Sequence, residues 1–135
     1  MALQLSVAVR NARLDAIEAA IGTVPILKIR TGAPPANCVA ADSGVVLSTM
    51  TLPVDWMAAA SAGQKGKVGT WEDPSAEATG TAGHFRVYAS DGVVCCIQGT
   101  VSGISGGGDL ELQSVSIVTG QRISIVTFTL TDDNA

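Results

Sequence analysis

Leu110-Glu-Leu-Gln-Ser-Val-Ser-Ile117 and Ile123-Ser-Ile-Val-Thr-Phe-Thr-Leu130 are the stretches of sequence that decide the fold. In each stretch the apolar residues alternate with polar ones, slip by one position, and then alternate again. Alternation with a period of two is typical of a β-strand, and a one-residue slip indicates a β-bulge or a change of sheet. Thr119-Gly120-Gln121 lies between the stretches, where a turn is expected. The pattern predicts two long bent strands in a mainly β fold, an antiparallel β-sandwich or jelly roll.

The composition is that of one weakly charged domain. The chain has 135 residues, and charged residues make up only 15% of them, against about 25% in a typical domain. The hydrophobic fraction is 47%, and the mean hydropathy is +0.36. A subunit that is built into an assembly is expected to have such a composition, although a soluble β-protein with a neutral surface shares it.

Charge and cysteine usage argue against several classes of protein. The net charge is -4 and lysine and arginine do not cluster, so no nucleic-acid partner is expected. No apolar run approaches the ~20 residues that span a bilayer, so no membrane partner is expected. The N-terminus lacks a basic segment and Arg10 interrupts its apolar part, which makes a poor signal peptide. Cys38, Cys95 and Cys96 do not form a disulfide framework, which favours reduced thiols and assembly in a cytoplasm.

A helix is expected at the N-terminus. Ser6 is suited to cap a helix that ends near Ile21, with Gly22 in a left-handed conformation after it. One face of this helix is an apolar stripe, formed by Leu3, Val7, Leu14, Ile17 and Ile21. The opposite face is small and mostly apolar, and most of its residues are alanines: Leu5, Ala8, Val9, Ala12, Ala16, Ala19 and Ala20. The alanine face either contacts a neighbouring subunit or reflects the helix propensity of alanine. Arg10 lies within the apolar stripe, where it either extends to solvent or pairs with a carboxylate of a partner.

The rest of the chain is expected to be a β-sandwich at 25–131, in a single jelly-roll-like domain at 1–135 with a helical segment at 1–22. Strands are expected at four ranges and around Trp71: 25–31, 45–52, 84–88 and 93–101. Gly32-Ala-Pro-Pro-Ala-Asn37 predicts a loop, and Ser90-Asp-Gly92 predicts a hairpin turn. Pro53-Val-Asp-Trp-Met57 and the alanines after it suggest one or two helical turns. The range 63–69 is expected to be a flexible basic loop.

The residues that could carry chemistry do not assemble into an active site. His84 is the only histidine, no G-x-S-x-G motif accompanies it, and its place in a strand favours a half-exposed structural role. A zinc site with Cys38, Cys95, Cys96 and His84 is disfavoured because the adjacent residues Cys95 and Cys96 point to opposite faces of a strand and no C-x2-C spacing is present. We therefore expect no enzyme activity, no cofactor and no metal. Trp56 and Trp71 could stack on a sugar, but core or interface positions are commoner for tryptophan.

Several segments resemble small structural proteins of tailed bacteriophages. These are Arg10-Asn-Ala-Arg-Leu-Asp-Ala-Ile-Glu-Ala-Ala-Ile-Gly22, Leu27-Lys-Ile-Arg-Thr-Gly-Ala-Pro-Pro-Ala-Asn-Cys38, Leu52-Pro-Val-Asp-Trp56, Gly80-Thr-Ala-Gly-His-Phe-Arg-Val-Tyr88 and Phe128-Thr-Leu-Thr131. The chain is similar to the capsid cement, or decoration, proteins of Bordetella-type phages. That resemblance implies jelly-roll subunits that bind as dimers to the outside of an HK97-type shell, without catalytic residues. The vicinal pair Cys95-Cys96 is not part of the family pattern.

The expected function is that of a virion structural protein that cements neighbouring major capsid subunits. Its partners would be the phage major capsid protein and a second copy of itself, on a capsid assembled in the host bacterial cytoplasm. The alternative is a head- or tail-fibre-associated module that binds a carbohydrate or receptor. Eight residues are the expected interface positions: Ala8, Arg10, Ala12, Ala16, Ala19, Pro34, Pro35 and Trp56.

Overall fold

The computed structural model describes residues 3–133, which form a mainly β fold with one N-terminal helix, as expected for a β-sandwich of this kind. Residues 1–2 of the expected helical segment, and 134–135 of the expected domain, lie outside the described residues. The helix is α1 (Val7–Ile21), and the strands in chain order are β1 (Ile26–Thr31), β2 (Val46–Thr51), β3 (Gln64–Gly66), β4 (Trp71–Asp73), β5 (Gly80–Tyr88), β6 (Cys95–Gly103), β7 (Leu110–Leu112), β8 (Ser116–Ile117), β9 (Ile123–Ile125) and β10 (Thr129–Thr131).

The helix begins and ends where its caps predict. The Ser6 side chain accepts a hydrogen bond from the Val9 amide, and Gly22, at a φ of 88°, donates its amide to the Glu18 carbonyl. Only the C-terminal half of the apolar stripe packs on the body, because Leu14 and Ile21 are buried whereas Leu3 and Val7 are exposed. Helix α1, the one helix among residues 3–133, is not long and apolar enough to cross a membrane.

The main sheet has the strand order β2-β1-β5-β6-β7, and β8 pairs with the start of β5. Neighbouring strands are antiparallel except for β6 and β7, which are parallel. Strands β3 and β10 form one further antiparallel pair, and β4 and β9 form another. The expected strands at 25–31, 45–52, 84–88 and 93–101, and the strand around Trp71, are therefore confirmed. Their ends shift by at most two residues, except that β5 begins at Gly80, four residues before the expected range.

The two long C-terminal strands predicted from the alternation are wrong. The range 110–131 instead forms four short strands, and each of them pairs with a different strand: β6, β5, β4 and β3. Alternation decides which side chains face the core, but the hydrogen-bonding partner is decided by the other strands that are nearby. The slip in each stretch marks the place where the chain leaves one strand partner for another.

Two further local predictions are also wrong. The segment after Pro53 has no helical turn, because Met57 forms an isolated antiparallel bridge with Lys67 and its backbone follows an extended path. The range 63–69 contains strand β3, and Lys65 at its centre is only 1% exposed. In both places long-range pairing outweighs the weak local preference of alanine and lysine for other structure.

The core is built around aromatic side chains that are distant in sequence. Trp56 and Trp71 are 0% and 1% exposed, and their ring centroids lie 6.0 Å apart. The ring centroid of Phe128 lies 5.5 Å from that of Trp71 and 5.7 Å from that of Phe85, so a continuous series of aromatic rings joins the tryptophans to the main sheet. Since the Trp56 side chain has no exposed surface, the expectation that it anchors an interface is wrong. It is a core residue whose Nε1 donates to the Gly22 carbonyl at the end of the helix.

Candidate binding surface

The connection between β1 and β2, residues 32–45, covers the outer face of the main sheet and is called the 32–45 loop below. On β5, Phe85 and Val87 belong to the apolar core, so Arg86 and Tyr88 point to the opposite side of the strand. Both of these polar side chains are nevertheless buried, at 2% and 1% exposure, because the loop lies over them. The outer face of the sheet is therefore a second buried layer, and it is polar.

Arg86 holds the middle of the loop through its guanidinium group. Nη2 donates to the carbonyls of Asn37 and Ala40, each at 3.0 Å, and Nη1 donates to Asp42 Oδ1 at 2.7 Å. Nε donates to Gln98 Oε1 on the neighbouring strand at 3.1 Å. One buried side chain thus satisfies two loop carbonyls and a loop carboxylate, which would otherwise be costly to leave without partners next to the sheet.

Asp42 is the acidic centre of this layer. Besides Arg86, it accepts a hydrogen bond from Arg30 Nη2 at 3.0 Å and one from the Tyr88 hydroxyl at 2.6 Å. Desolvation raises the pKa of Asp42, but the hydrogen bonds from Tyr88 and Arg86 and the charge of Arg30 outweigh it, so this pKa lies below its usual value. We call Asp42, Arg30, Arg86, Tyr88 and Gln98 the Asp42 cluster. The Asp42 carboxylate stays ionised and joins strands β1 and β5 to the loop.

Further hydrogen bonds hold the start, the middle and the end of the loop. Gln98 Nε2 donates to the Pro35 carbonyl at 2.7 Å, and His84 Nδ1 donates to the Gly32 carbonyl at 2.9 Å. Asn37 Oδ1 accepts from the amides of residues 39 and 40, and Thr31 Oγ1 accepts from the amide of residue 45. Each part of the loop therefore has a fixed backbone position.

This rigid backbone presents small apolar side chains to the solvent. Val39 is 95% exposed, and Val45 at the end of the loop is 57% exposed. Three alanines of the loop are exposed as well: Ala33, Ala36 and Ala41. An apolar surface whose backbone is already ordered loses little conformational freedom on binding, and this favours association. The 32–45 loop is therefore a candidate binding surface.

Helix α1 provides a second exposed surface, because Leu14 and Ile21 of its apolar stripe and the adjacent polar side both face the body of the protein. Lys65 on β3 is buried beneath the helix, and its Nζ lies 2.7 Å from Asp15 and 2.6 Å from Glu18. Desolvation lowers the pKa of Lys65, but the hydrogen bonds that Nζ donates to these carboxylates and their negative charge outweigh it, so its pKa is raised and it stays charged. The alanine face is left exposed, and a groove of about 430 Å³ lies beside it, between Ala16 and Thr131.

The eight predicted interface positions divide into three groups. Ala8, Ala12, Ala16 and Ala19 are exposed on the helix, and Pro34 and Pro35 are half-buried in the 32–45 loop. Arg10 does not reach out to solvent, because its Nη1 donates to the Asp132 carbonyl of the same chain at 3.0 Å. Trp56, as described above, lies in the core.

The structure also brings together residues that the sequence alone did not connect. Alternation along β1 and β5 is a local signal that Arg30, Arg86 and Tyr88 lie opposite the apolar residues of their own strands, whereas Asp42 and Gln98 carry no such signal. The half-exposed position expected for His84 is wrong, since its side chain is fully buried under the loop and its Nε2 has no hydrogen-bond partner among residues 3–133. No group of three or more His, Cys, Asp or Glu side chains in the described part of the chain is arranged to hold a metal ion.

Comparison with known proteins adds no relative. No family model, curated protein or solved structure matches this chain.

Proposed function

We propose that this chain is a virion structural protein that binds the outside of a tailed-phage capsid and cements neighbouring major capsid subunits. The observation that carries the proposal is the 32–45 loop, whose apolar surface includes the exposed side chain of Val39 and whose backbone is held by the buried guanidinium group of Arg86. A loop with a fixed backbone is suited to bind a partner surface, because it loses little conformational freedom on binding. The capsid is proposed as that partner because the sequence resembles those of phage cement proteins.

The polar groups of the chain support a binding role over catalysis. The side chains that could act as acids or bases on the outer face are used to hold the loop: Arg86, Asp42 and Tyr88 contact one another, and His84 contacts the Gly32 carbonyl. Arg86, Tyr88 and His84 are buried under the loop, and the Asp42 carboxylate is occupied by hydrogen bonds from Arg30, Arg86 and Tyr88. Groups arranged in this way stabilise one conformation of the backbone and are not positioned to contact a substrate.

The low charge of the surface fits association through apolar burial. A stable complex of this kind buries about 1,200–2,000 Å² and excludes charged residues from its centre. The 32–45 loop and the alanine face of α1 together supply exposed Val and Ala side chains for such a contact. One of the two surfaces serves the shell and the other a second copy of the chain, in the homodimer that the resemblance implies.

A carbohydrate-binding module is the less favoured alternative. Its basis in the sequence was stacking of a sugar on Trp56 or Trp71, and both indole rings are buried in the core. No tryptophan is therefore left to form a stacking platform, since the chain has only these two.

Co-sedimentation with expanded phage capsids tests the proposal. Val39→Asp and Ala16→Glu each place a charge in one of the two surfaces, and we expect each to weaken shell binding or dimerisation about 10-fold or more, because a buried unpaired charge is costly. Val54→Asp is the matched control, because Val54 is 65% exposed but lies outside both surfaces. Raising the salt concentration should change wild-type binding little, since apolar burial is not screened.

Two results would contradict the proposal. If wild-type protein does not sediment with capsids at any salt concentration, the capsid is not its partner. If Val39→Asp and Ala16→Glu bind as wild type does while salt releases all of them, the contact is electrostatic and lies elsewhere on the surface.

A further inference from the structure

Two of the three cysteines lie next to the Asp42 cluster. Cys38 belongs to the 32–45 loop, where the carbonyls of residues 37 and 40, on either side of it, both accept hydrogen bonds from Arg86 Nη2. Cys95 lies opposite Tyr88 in the β5–β6 register, and the Tyr88 hydroxyl bonds to the same carboxylate as Arg86. The loop and the strand are therefore held together at the point where these two cysteines lie.

Both thiols are half-buried. The Cys95 thiol donates to the Ile97 carbonyl of its own strand at 3.5 Å, and the Cys38 side chain is its other hydrogen-bond partner. Burial and the hydrogen bond with the Cys38 thiol raise the pKa of Cys95 to about 12, so Cys95 is protonated at neutral pH. Cys96 has a different environment. The β5–β6 ladder passes over it at a bulge, its thiol donates to the Val94 carbonyl at 3.5 Å, and its side chain packs against the core.

We propose that Cys38 and Cys95 are a redox-sensitive pair that closes into a disulfide and ties the 32–45 loop covalently to β6. The oxidant is a small-molecule disulfide of the glutathione type. The Cys38 sulfur attacks it as the thiolate, forms a mixed disulfide and releases one small thiol. The Cys95 sulfur then attacks the Cys38 sulfur, loses its proton to solvent and releases the second small thiol, so two protein thiols are oxidised and one small disulfide is reduced.

The cross-link would reinforce the attachment of the 32–45 loop to the sheet, which the Asp42 cluster provides through ionic contacts. A covalent bond at residue 38 fixes the loop beside Val39 even when the ionic contacts are weakened, for example in Asp42→Asn. Any effect of oxidation on partner binding rests on the proposed function. The disulfide itself does not, and it can be tested on the purified chain without capsids.

The experiment is oxidation of the folded, full-length chain with oxidised glutathione, followed by mass spectrometry without reduction. We expect the intact monomer to lose about 2 Da, the mass of two hydrogens, as its thiols become a disulfide. Digestion with trypsin should give the peptides 31–65 and 87–122 as one linked species. Because Cys95 and Cys96 share the second peptide, Cys96→Ser identifies the partner and should still form the link, whereas Cys38→Ser and Cys95→Ser should not.

Thermal unfolding provides a second measurement. A disulfide between residues 38 and 95 closes a long segment of the chain and should raise the Tm of the oxidised protein by roughly 5–10 °C. This gain should disappear on reduction. The proposal is overturned if Cys96→Ser abolishes the linked species, or if wild type stops at the mixed disulfide. It is equally overturned if the link forms only between separate chains.

Discussion

The carboxylate of Asp42 offers the sharpest test of how the 32–45 loop is held. Asp42→Asn keeps the size of the side chain and removes its charge. Arg86 and Arg30, whose side chains are 2% and 8% exposed, then lose their shared anion while remaining under the loop. Removing one member of a buried ion pair typically costs 3–5 kcal/mol, because the remaining charge is left without compensation.

The expected loss of stability lies near the bottom of this range. The Asp42 side chain is 43% exposed, so water can reach the site and partly solvate the two guanidinium groups. Arg86 also keeps its bonds to Gln98 and to two loop carbonyls. We therefore expect Asp42→Asn to lower the free energy of unfolding by about 3 kcal/mol, and the Tm by roughly 10 °C in a chain of this size.

The assay is urea and thermal unfolding of wild type, Asp42→Asn and the control Asp55→Asn, which changes an exposed aspartate. Because the folded pKa of Asp42 is lowered, its contribution is full above the ordinary aspartate pKa of 3.8 and is lost as the pH falls through the folded pKa. Wild type and Asp42→Asn should therefore differ at neutral pH and converge in acid. A neutral-pH stability equal to that of Asp55→Asn would refute the reasoning.

Two further predictions concern the core and the helix. Phe128→Ala should lower the free energy of unfolding by about 3–5 kcal/mol, because it removes the ring that joins Trp71 to the main sheet, and an unchanged Tm would place Phe128 outside the core. Under the helix, the double change Asp15→Asn with Glu18→Gln should destabilise the chain more than Lys65→Met does, as measured by urea unfolding. The double change leaves a buried ammonium group without an anion, whereas Lys65→Met leaves two carboxylates that solvent can reach. Equal losses would contradict this asymmetry.

Much of the local structure of this chain can be predicted from neighbouring residues. Ser6 and Gly22 define the ends of α1 because caps act through hydrogen bonds and backbone angles within one turn. Alternation identifies β1 and β5 and assigns each of their side chains to a face, since this depends only on the geometry of a strand. The mainly β class and the N-terminal helix follow from the same local rules.

The tertiary structure alone decided which partner each element has. The stretches at 110–117 and 123–130 alternate as strands do, yet their division among four partners depends on sheets formed by distant residues. Asp42 is 44 residues from Arg86 and 46 from Tyr88, and nothing in its own neighbourhood indicates that a loop would bury both. A polar residue on a strand face is expected to be solvated unless another segment covers it. Whether it is covered depends on how the whole chain packs. Burial and strand pairing depend on residues that are distant in sequence, whereas helix caps and hydrophobic periodicity depend on neighbouring residues.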